Sequence, residues 1–253
     1  MNFPGATPLA ADIAALRHAL TDGELARYRA LGRMTAGIVE QTCREITPGE
    51  TEEQIQGRLL GHLYAQGIAP SVVLIAADER ITNYKHAITK TAPVRRTASI
   101  SVCAQKWGLV AAVTRVVHFG ELPPEIAQRQ DALVTIYAQM LRATRPGAKA
   151  SAVFDAARAA SAAAGHPDAW REHHLGGAIG YQNREYRIFP GCPQIIQSPQ
   201  AFAWNPTLPG VKIEETFVAH PDRLEFLTQT GDWPATTVDV NGRQIKIPLI
   251  LQR

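Results

Sequence analysis

The sequence has few cysteines, and they form no recognisable set. Cys43, Cys103 and Cys192 are an odd number and include no Cys-x-x-Cys pair, which argues against a disulfide framework or a zinc knuckle. This usage is typical of a reducing compartment, so we expect a cytoplasmic protein. Scattered cysteines are more often small buried residues than nucleophiles.

Strong net charge and long apolar runs are also lacking. The formal net charge is +3 and no Lys/Arg block occurs, so neither nucleic acid nor an anionic membrane is indicated as a partner. Apolar runs such as SVVLIAA at 71–77 are far shorter than a membrane span, and the first residues lack the pattern of a secretory signal. With 253 residues, the chain can bury a sizeable core.

Hydrophobic periodicity predicts two similar series of helices and strands. Helices are predicted at 22–46, 51–67, 124–144 and 145–165. Strands are predicted at 71–77, 97–104 and 109–120, with further extended segments over 177–228. Thr51 and Gln54 have the spacing of a capping box, and QKWG is the predicted turn between the second and third strands.

An internal repeat relates the two series. RPGAKASAVFDAARAASAAAG at 145–165 repeats TPGETEEQIQGRLLGHLYAQG at 47–67, and 18 residues separate the opening from the closing glycine in each copy. Pro-Gly turns are common, so coincidence is the alternative. We predict one α+β domain over 1–253, with pseudo-symmetric halves at about 22–120 and 121–230 and an extension at 231–253. One continuous, curved, mainly antiparallel sheet would join the halves, with the site between them.

The two halves, closed by WGLVAAVTR at 107–115 and GVKIEETFV at 210–218, resemble the pita-bread fold of the M24 family. That family includes methionine aminopeptidase, Xaa-Pro aminopeptidase, prolidase and creatinase, and the resemblance covers roughly 22–230. Its metallopeptidases hold two divalent ions with two Asp, one His and two Glu, and the ions generate a hydroxide nucleophile.

Most of these ligands are missing here. The resemblance places the five ligand positions at Ser101, Ala112, Gly177, Asn205 and Glu214. One carboxylate cannot hold two ions, so we predict no dinuclear metal site and no cofactor. Ser101 and Asn205 would donate hydrogen bonds to substrate in place of the metals.

Other substrate-side positions of the family keep polar residues. His86 in NYKHA, His173 and Arg184 match positions at which the aminopeptidases have histidines. The resemblance implies that His86 shuttles a proton and that Glu214, with His173, activates water; burial without metals should raise the pKa of Glu214. Arg184 has the fork that binds a carboxylate.

Each of these roles has a structural alternative. His86 is also compatible with a surface position, Glu214 with an ion pair to Arg115 or Lys212, and Arg184 with an ion pair to Glu185 or Glu172. His174, next to His173, and Tyr181 are further candidates for substrate contacts. Aromatic residues at sheet positions are more often part of the core, which is the alternative for Tyr181.

These observations favour a metal-independent enzyme acting on a small amino-acid-like or carboxylate-bearing molecule. Creatinase is the precedent in this fold, and C–N or amide hydrolysis is the simplest reaction; a lyase or isomerase would use the same groups. The main alternative is a non-catalytic homologue that binds a peptide or a partner protein, and a standard metallopeptidase requires a shifted alignment. Oligomeric state is open: proteins of this fold are often dimers, and IKIPLILQR at 245–253 suits an edge strand or a contact surface.

Overall fold

The computed structural model describes residue 7 and residues 9–253 and contains helices and strands in two successive groups. The helices are α1 (Ala10–Leu16), α2 (Asp22–Glu45), α3 (Glu52–Ala65), α4 (Glu79–Asn83), α5 (Pro124–Ala143), α6 (Ala150–Ala163) and α7 (Ala169–Glu172). The strands are β1 (Ala69–Ala77), β2 (Thr97–Lys106), β3 (Leu109–His118), β4 (Gly176–Ala178), β5 (Tyr186–Arg187), β6 (Gln200–Trp204), β7 (Thr207–Leu208), β8 (Val211–Lys212), β9 (Glu215–Ala219), β10 (Leu224–Phe226), β11 (Ala235–Val240), β12 (Arg243–Pro248) and β13 (Leu251–Gln252). Within the described ranges, no helix has the length and apolar character needed to cross a bilayer.

The first half packs α2 and α3 on an antiparallel sheet of β1, β2 and β3. The predicted capping box forms at the start of α3. The backbone N–H of Gln54 donates to Thr51 Oγ1 at 3.2 Å, and the backbone N–H of Thr51 donates to Gln54 Oε1 at 2.9 Å. The predicted turn between β2 and β3 places Trp107 and Gly108 at positive φ, as in the tight hairpin turns that match strand twist. That hairpin fixes the register of both strands.

The second half repeats this arrangement with α5, α6 and a sheet in the order β10-β9-β6-β4-β5. Its apolar core lies between these two helices and the sheet and includes Tyr137, Phe154, Phe202, Trp204 and Phe217. A separate core in the first half contains Cys43 and Cys103, whose thiol pKa values are raised by burial. Cys192 is also buried, so the interpretation of the cysteines as small buried residues is confirmed.

The same backbone hydrogen bonds recur at the two Pro-Gly turns. In the first half the Gly49 N–H donates to the Val94 carbonyl, and in the second the Gly147 N–H donates to the Ile196 carbonyl, at 2.8 and 2.9 Å. Both glycines have positive φ, a conformation in which a side chain would be strained. Isolated bridges two residues later, Thr51 to Pro93 and Lys149 to Ile195, extend the match. The sequence repeat is therefore a structural repeat.

The prediction of one continuous sheet is wrong. The described strands form two main sheets that meet without a regular ladder between β3 and β9. Two of the bonds that join them there are Ala112 N–H to Thr216 Oγ1 at 2.8 Å and Thr114 N–H to the Glu214 carbonyl at 3.1 Å. A threonine hydroxyl takes the place of a backbone carbonyl, so the strands cross instead of pairing along their lengths.

The C-terminal residues attach the second half to the first. β11 and β12 form a hairpin, and β13 pairs in parallel with β3 at the edge of the first sheet, with Leu251 opposite Val117. The predicted edge strand within 245–253 is thus confirmed. β13 also covers a row of backbone groups on β3 that would otherwise be available for pairing with another chain.

Candidate active site

A small cavity lies between the two halves and contains most of the predicted site residues. Its volume is about 170 Å³. It is lined by Val72, Leu74, His86, Ser101, Val102, Cys103, His174, Asn183, Arg184, Arg187, Asn205, Lys212 and Glu214. A larger pocket of about 330 Å³, near Arg145, His220 and Arg243, contains none of the predicted residues. We place the site in the smaller cavity because imidazole, guanidinium, ammonium and carboxylate groups converge there.

The hairpin of β2 and β3 supplies the part of the cavity wall that comes from the first half. Ser101 stands directly opposite Thr114, and Cys103 opposite Ala112, so these four side chains project from one face of the sheet. The Ser101 and Thr114 hydroxyls lie 2.7 Å apart, and Thr114 Oγ1 donates to Glu214 Oε2 at 2.8 Å. The strand register therefore brings Ser101 and Thr114 next to the acid of the second half, as the repeat predicts.

Glu214 is held between two cations. Arg184 Nη2 lies 2.9 Å from Oε1, and Lys212 Nζ lies 3.1 Å from Oε2 and 3.2 Å from Ser101 Oγ. Burial raises the pKa of this carboxyl, but the charges of Lys212 and Arg184 and the bond from Thr114 outweigh burial and lower the pKa to about 2. The expectation of a raised pKa is therefore wrong, because two side-chain cations contact this carboxylate.

These residues do not fit a dinuclear metal centre. Both oxygens of Glu214 are already bound by cations that would repel a metal ion. At Gly177, the position of the family's metal-binding histidine, a Cβ atom would lie 1.9 Å from the Tyr186 carbonyl oxygen, so no side chain fits. Ser101, Ala112 and Asn205 offer no carboxylate.

Three histidines meet beside the carboxylate. His86 Nε2 and His173 Nε2 are 3.2 Å apart, and one ring nitrogen from each of His86, His173 and His174 lies within 4.8 Å of the others, a spacing at which three imidazoles can share a metal ion. The rings of His173 and His174 are stacked at 20°, however, and His174 Nδ1 accepts a bond from the Gly176 N–H. Imidazole lone pairs lie in the ring plane, so stacked rings do not converge on one ion.

The histidines are held neutral. Burial, and then the charge of Lys212, lowers the pKa of His173 to about 2; burial, and then Arg184, lowers the pKa of His174 to about 3. The pKa of His86 is lowered by burial first and by the charge of Lys212 second, as for His173. A divalent cation would meet the same repulsion from the neighbouring cations. The cluster is thus better suited to hydrogen bonding and proton transfer than to metal binding.

Of the remaining predicted residues, Asn205 lies in the cavity and Tyr181 does not. Asn205 lines the cavity, and its Oδ1 is buried without a hydrogen-bond partner among the described residues. Tyr181 does not line the cavity: its hydroxyl donates to Glu24 and its ring packs against Gly108. The predicted substrate contact from Tyr181 is therefore not supported, because the ring fills the space over the hairpin turn.

One cation of the cavity was named in the sequence only as a structural ion-pair partner, and another was missed. The ion pair between Glu214 and Lys212, the structural alternative for this acid, is present, and residues two apart on a strand share a face. Arg187 lines the cavity from β5, three residues after Arg184. No sequence signal points to Arg187.

Comparisons with known proteins agree with this fold. The model of metallopeptidase family M24 matches residues 26–221. Similar solved structures are dipeptidase PepE from Mycobacterium ulcerans (TM-score 0.80, 22% identity, 87% of this chain and 62% of that chain) and an X-Pro aminopeptidase from Thermotoga maritima (TM-score 0.77, 21% identity, 87% and 64%). The chain thus spans less than two thirds of their length. The comparison with curated proteins gives no match. Because the family model covers most of the sequence, the chain belongs to metallopeptidase family M24, and it has the pita-bread fold.

Proposed function

We propose that this protein is a metal-independent hydrolase that cleaves an amide or other C–N bond in a small, carboxylate-bearing molecule. Membership of family M24 supports peptidase-like hydrolysis. The observation that carries metal independence is the pairing of both Glu214 oxygens with Arg184 and Lys212, at 2.9 and 3.1 Å. Two side-chain cations neutralise the acid that two metal ions would otherwise bind.

His86 is the proton-transfer group in this proposal. Its ring is exposed at the cavity, and its lowered pKa leaves it neutral near pH 7, the form that accepts a proton. Water attacks the amide carbonyl carbon and passes its proton to His86. The C–N bond then breaks and the proton moves to the leaving nitrogen. His173, 3.2 Å away, holds the His86 ring in position through the bond between their Nε2 atoms.

Lys212 and Arg184 supply the charge that the reaction requires. An ammonium group has three protons, and Lys212 directs two of them at Glu214 and Ser101, which leaves one for the developing oxyanion. Arg184 uses two of its N–H groups on Glu214 and the Asn183 carbonyl, so its remaining donors are available to a substrate carboxylate. Glu214 then acts as a positioning residue, since a carboxyl with a pKa of about 2 is a weak base.

The test is turnover of N-acyl amino acids and dipeptides in the presence of EDTA. His86→Ala should reduce kcat by about 100-fold or more, the range of a lost general base, while the fold stays intact. His166→Ala, which removes a histidine that does not line the cavity, is the matched control and should behave as wild type. Activity that appears only with added Mn²⁺, Co²⁺ or Zn²⁺ would contradict the proposal.

A second function, ligand binding without turnover, is favoured by one observation. Among Glu214, His86, His174 and the adjacent His173, the pKa is about 2 for Glu214 and His173 and about 3 for His174, which leaves His86 as the one effective base of these four. A binding protein would show no turnover with any substrate of the panel and would bind the same ligand in wild type and His86→Ala.

A further inference from the structure

The cavity has more positive than negative charge. Three cations, Arg184, Arg187 and Lys212, face a single carboxylate, Glu214, among its lining residues, which leaves two positive charges. The imidazoles add no charge near neutral pH, because burial and these cations hold His86 and His174 neutral. In a partly enclosed space such an excess attracts anions strongly.

One of these two excess charges is located at Arg187. Arg184 and Lys212 both contact Glu214, whereas Arg187 has no ion-pair partner within the part of the chain that the structure describes. The guanidinium of Arg187 lies close enough to His86 and His174 for its charge to affect both rings. Its side chain is exposed, so a ligand can reach it without any movement of the fold.

The size of the cavity limits the ligand. At about 170 Å³ it is smaller than the pockets of roughly 300–1,000 Å³ that bind drug-sized molecules. A ligand with few heavy atoms fits, and a folded partner does not. Arg184 precedes β5 and Arg187 ends it, so the cavity receives two guanidinium groups from two positions of this segment.

We propose that the cavity binds a small molecule with two separated carboxylates, one on Arg184 and the other on Arg187. If the proposed hydrolysis is correct, the substrate is an amide of a dicarboxylic amino acid, and this part of the inference rests on the proposed function. The binding of a dicarboxylate does not rest on it. Arg187 is then the residue that selects a dicarboxylate over a monocarboxylate.

The test is calorimetric titration of the full chain with succinate, with succinamate and with sulfate. Succinamate has the size of succinate with one carboxylate replaced by a neutral amide. We expect succinate to bind about tenfold more tightly than succinamate, the effect of one charge-assisted hydrogen bond, and to weaken as salt is added. Equal affinities, or no binding of either, would overturn the inference. Tighter binding of sulfate than of succinate would also overturn it, because both cations would then address one compact anion.

Arg187→Gln sharpens the test. It should weaken succinate about tenfold and leave succinamate nearly unchanged, because the lost charge faced the second carboxylate. Arg33→Gln, an exposed arginine of α2 outside the cavity lining, is the control for the change in net charge. Unchanged succinate binding in Arg187→Gln would remove the assignment. If succinate binds but no amide substrate is hydrolysed, this inference stands and the proposed reaction is wrong. If amide substrates are hydrolysed equally well by wild type and Arg187→Gln, the proposed reaction stands and this inference is wrong.

Discussion

Glu214 and Glu215 are neighbours in the chain, but their side chains lie on opposite faces and in opposite charge environments. Burial raises the pKa of both carboxyls. At Glu214 the two cations of the cavity outweigh burial and the pKa falls to about 2. At Glu215 burial prevails and the pKa is raised, because its cation, Arg115, is shared with a second carboxylate, Glu40.

The difference separates a structural ion cluster from the proposed binding site. Arg115 is fully buried and uses its guanidinium on Glu215 at 2.5 Å, Glu40 at 3.0 Å and the Thr228 carbonyl at 2.9 Å, with Trp233 against its face. Its positive charge is balanced within the fold by Glu215 and Glu40. The cavity has one carboxylate for three cations, and the uncommitted charge is available to a ligand.

The largest expected effect is on the structural side. Arg115→Met leaves Glu40 and Glu215 buried without a cation and should lower the free energy of unfolding by about 3–5 kcal/mol, measured by urea denaturation. Arg184→Met is the counterpart in the cavity, where Lys212 and Thr114 still hold Glu214, and it should cost only about 1–2 kcal/mol. Equal losses of unfolding free energy in the two variants would contradict a purely structural role for the Arg115 cluster and a ligand-binding role for the cavity.

Much of the fold could be predicted because local chemistry determines it. The capping box at Thr51 and Gln54 fixes where α3 begins, and the glycines at positive φ fix both Pro-Gly turns. The break between the sheets could not be predicted. It depends on Thr216 bonding across to Ala112, a contact between residues more than a hundred positions apart.

The pH dependence of stability should have opposite signs at the two glutamates. Glu214, with a lowered pKa, stabilises the fold above its unfolded value of about 4.5, and this contribution is lost as the pH falls toward 2. Glu215, with a raised pKa, contributes stability that is complete below its unfolded value and is lost as the pH rises through its folded pKa.

Single amide variants test these signs through unfolding free energies measured across pH. Glu214→Gln should cost about 3 kcal/mol at pH 7, the equivalent of its pKa shift, and the gap to wild type should close in acid. Glu215→Gln should instead match wild type in acid and become the more stable protein as the pH rises, because the buried wild-type carboxyl then ionises. Parallel profiles for the two variants would contradict the comparison.

The site was partly predictable for a similar reason. The hairpin turn at Trp107 and Gly108 sets the register that places Ser101 opposite Thr114, the residue that bonds Glu214, so the position of Ser101 near this acid could be predicted by counting residues. The direction of the pKa shift at Glu214 could not, because it depends on which of several nearby cations the carboxylate meets. Arg184 reaches it from a bend thirty residues earlier, and no local pattern encodes that contact.

The smallest expected effect is on metal binding, which should not change when a histidine is placed at position 177, where the family resemblance puts a metal ligand. Gly177→His places a Cβ atom 1.9 Å from the Tyr186 carbonyl, so the backbone must shift, at a cost of about 1–3 kcal/mol. Gly61→His, on the exposed face of α3 with open space around its Cβ, is the matched control and should not be destabilised. Elemental analysis after exposure to Mn²⁺ should find no bound metal in Gly177→His, because Arg184 and Lys212 still occupy Glu214. A Gly177→His variant as stable as the control that also binds Mn²⁺ would mean that the cationic cavity is a minor change to a metal site.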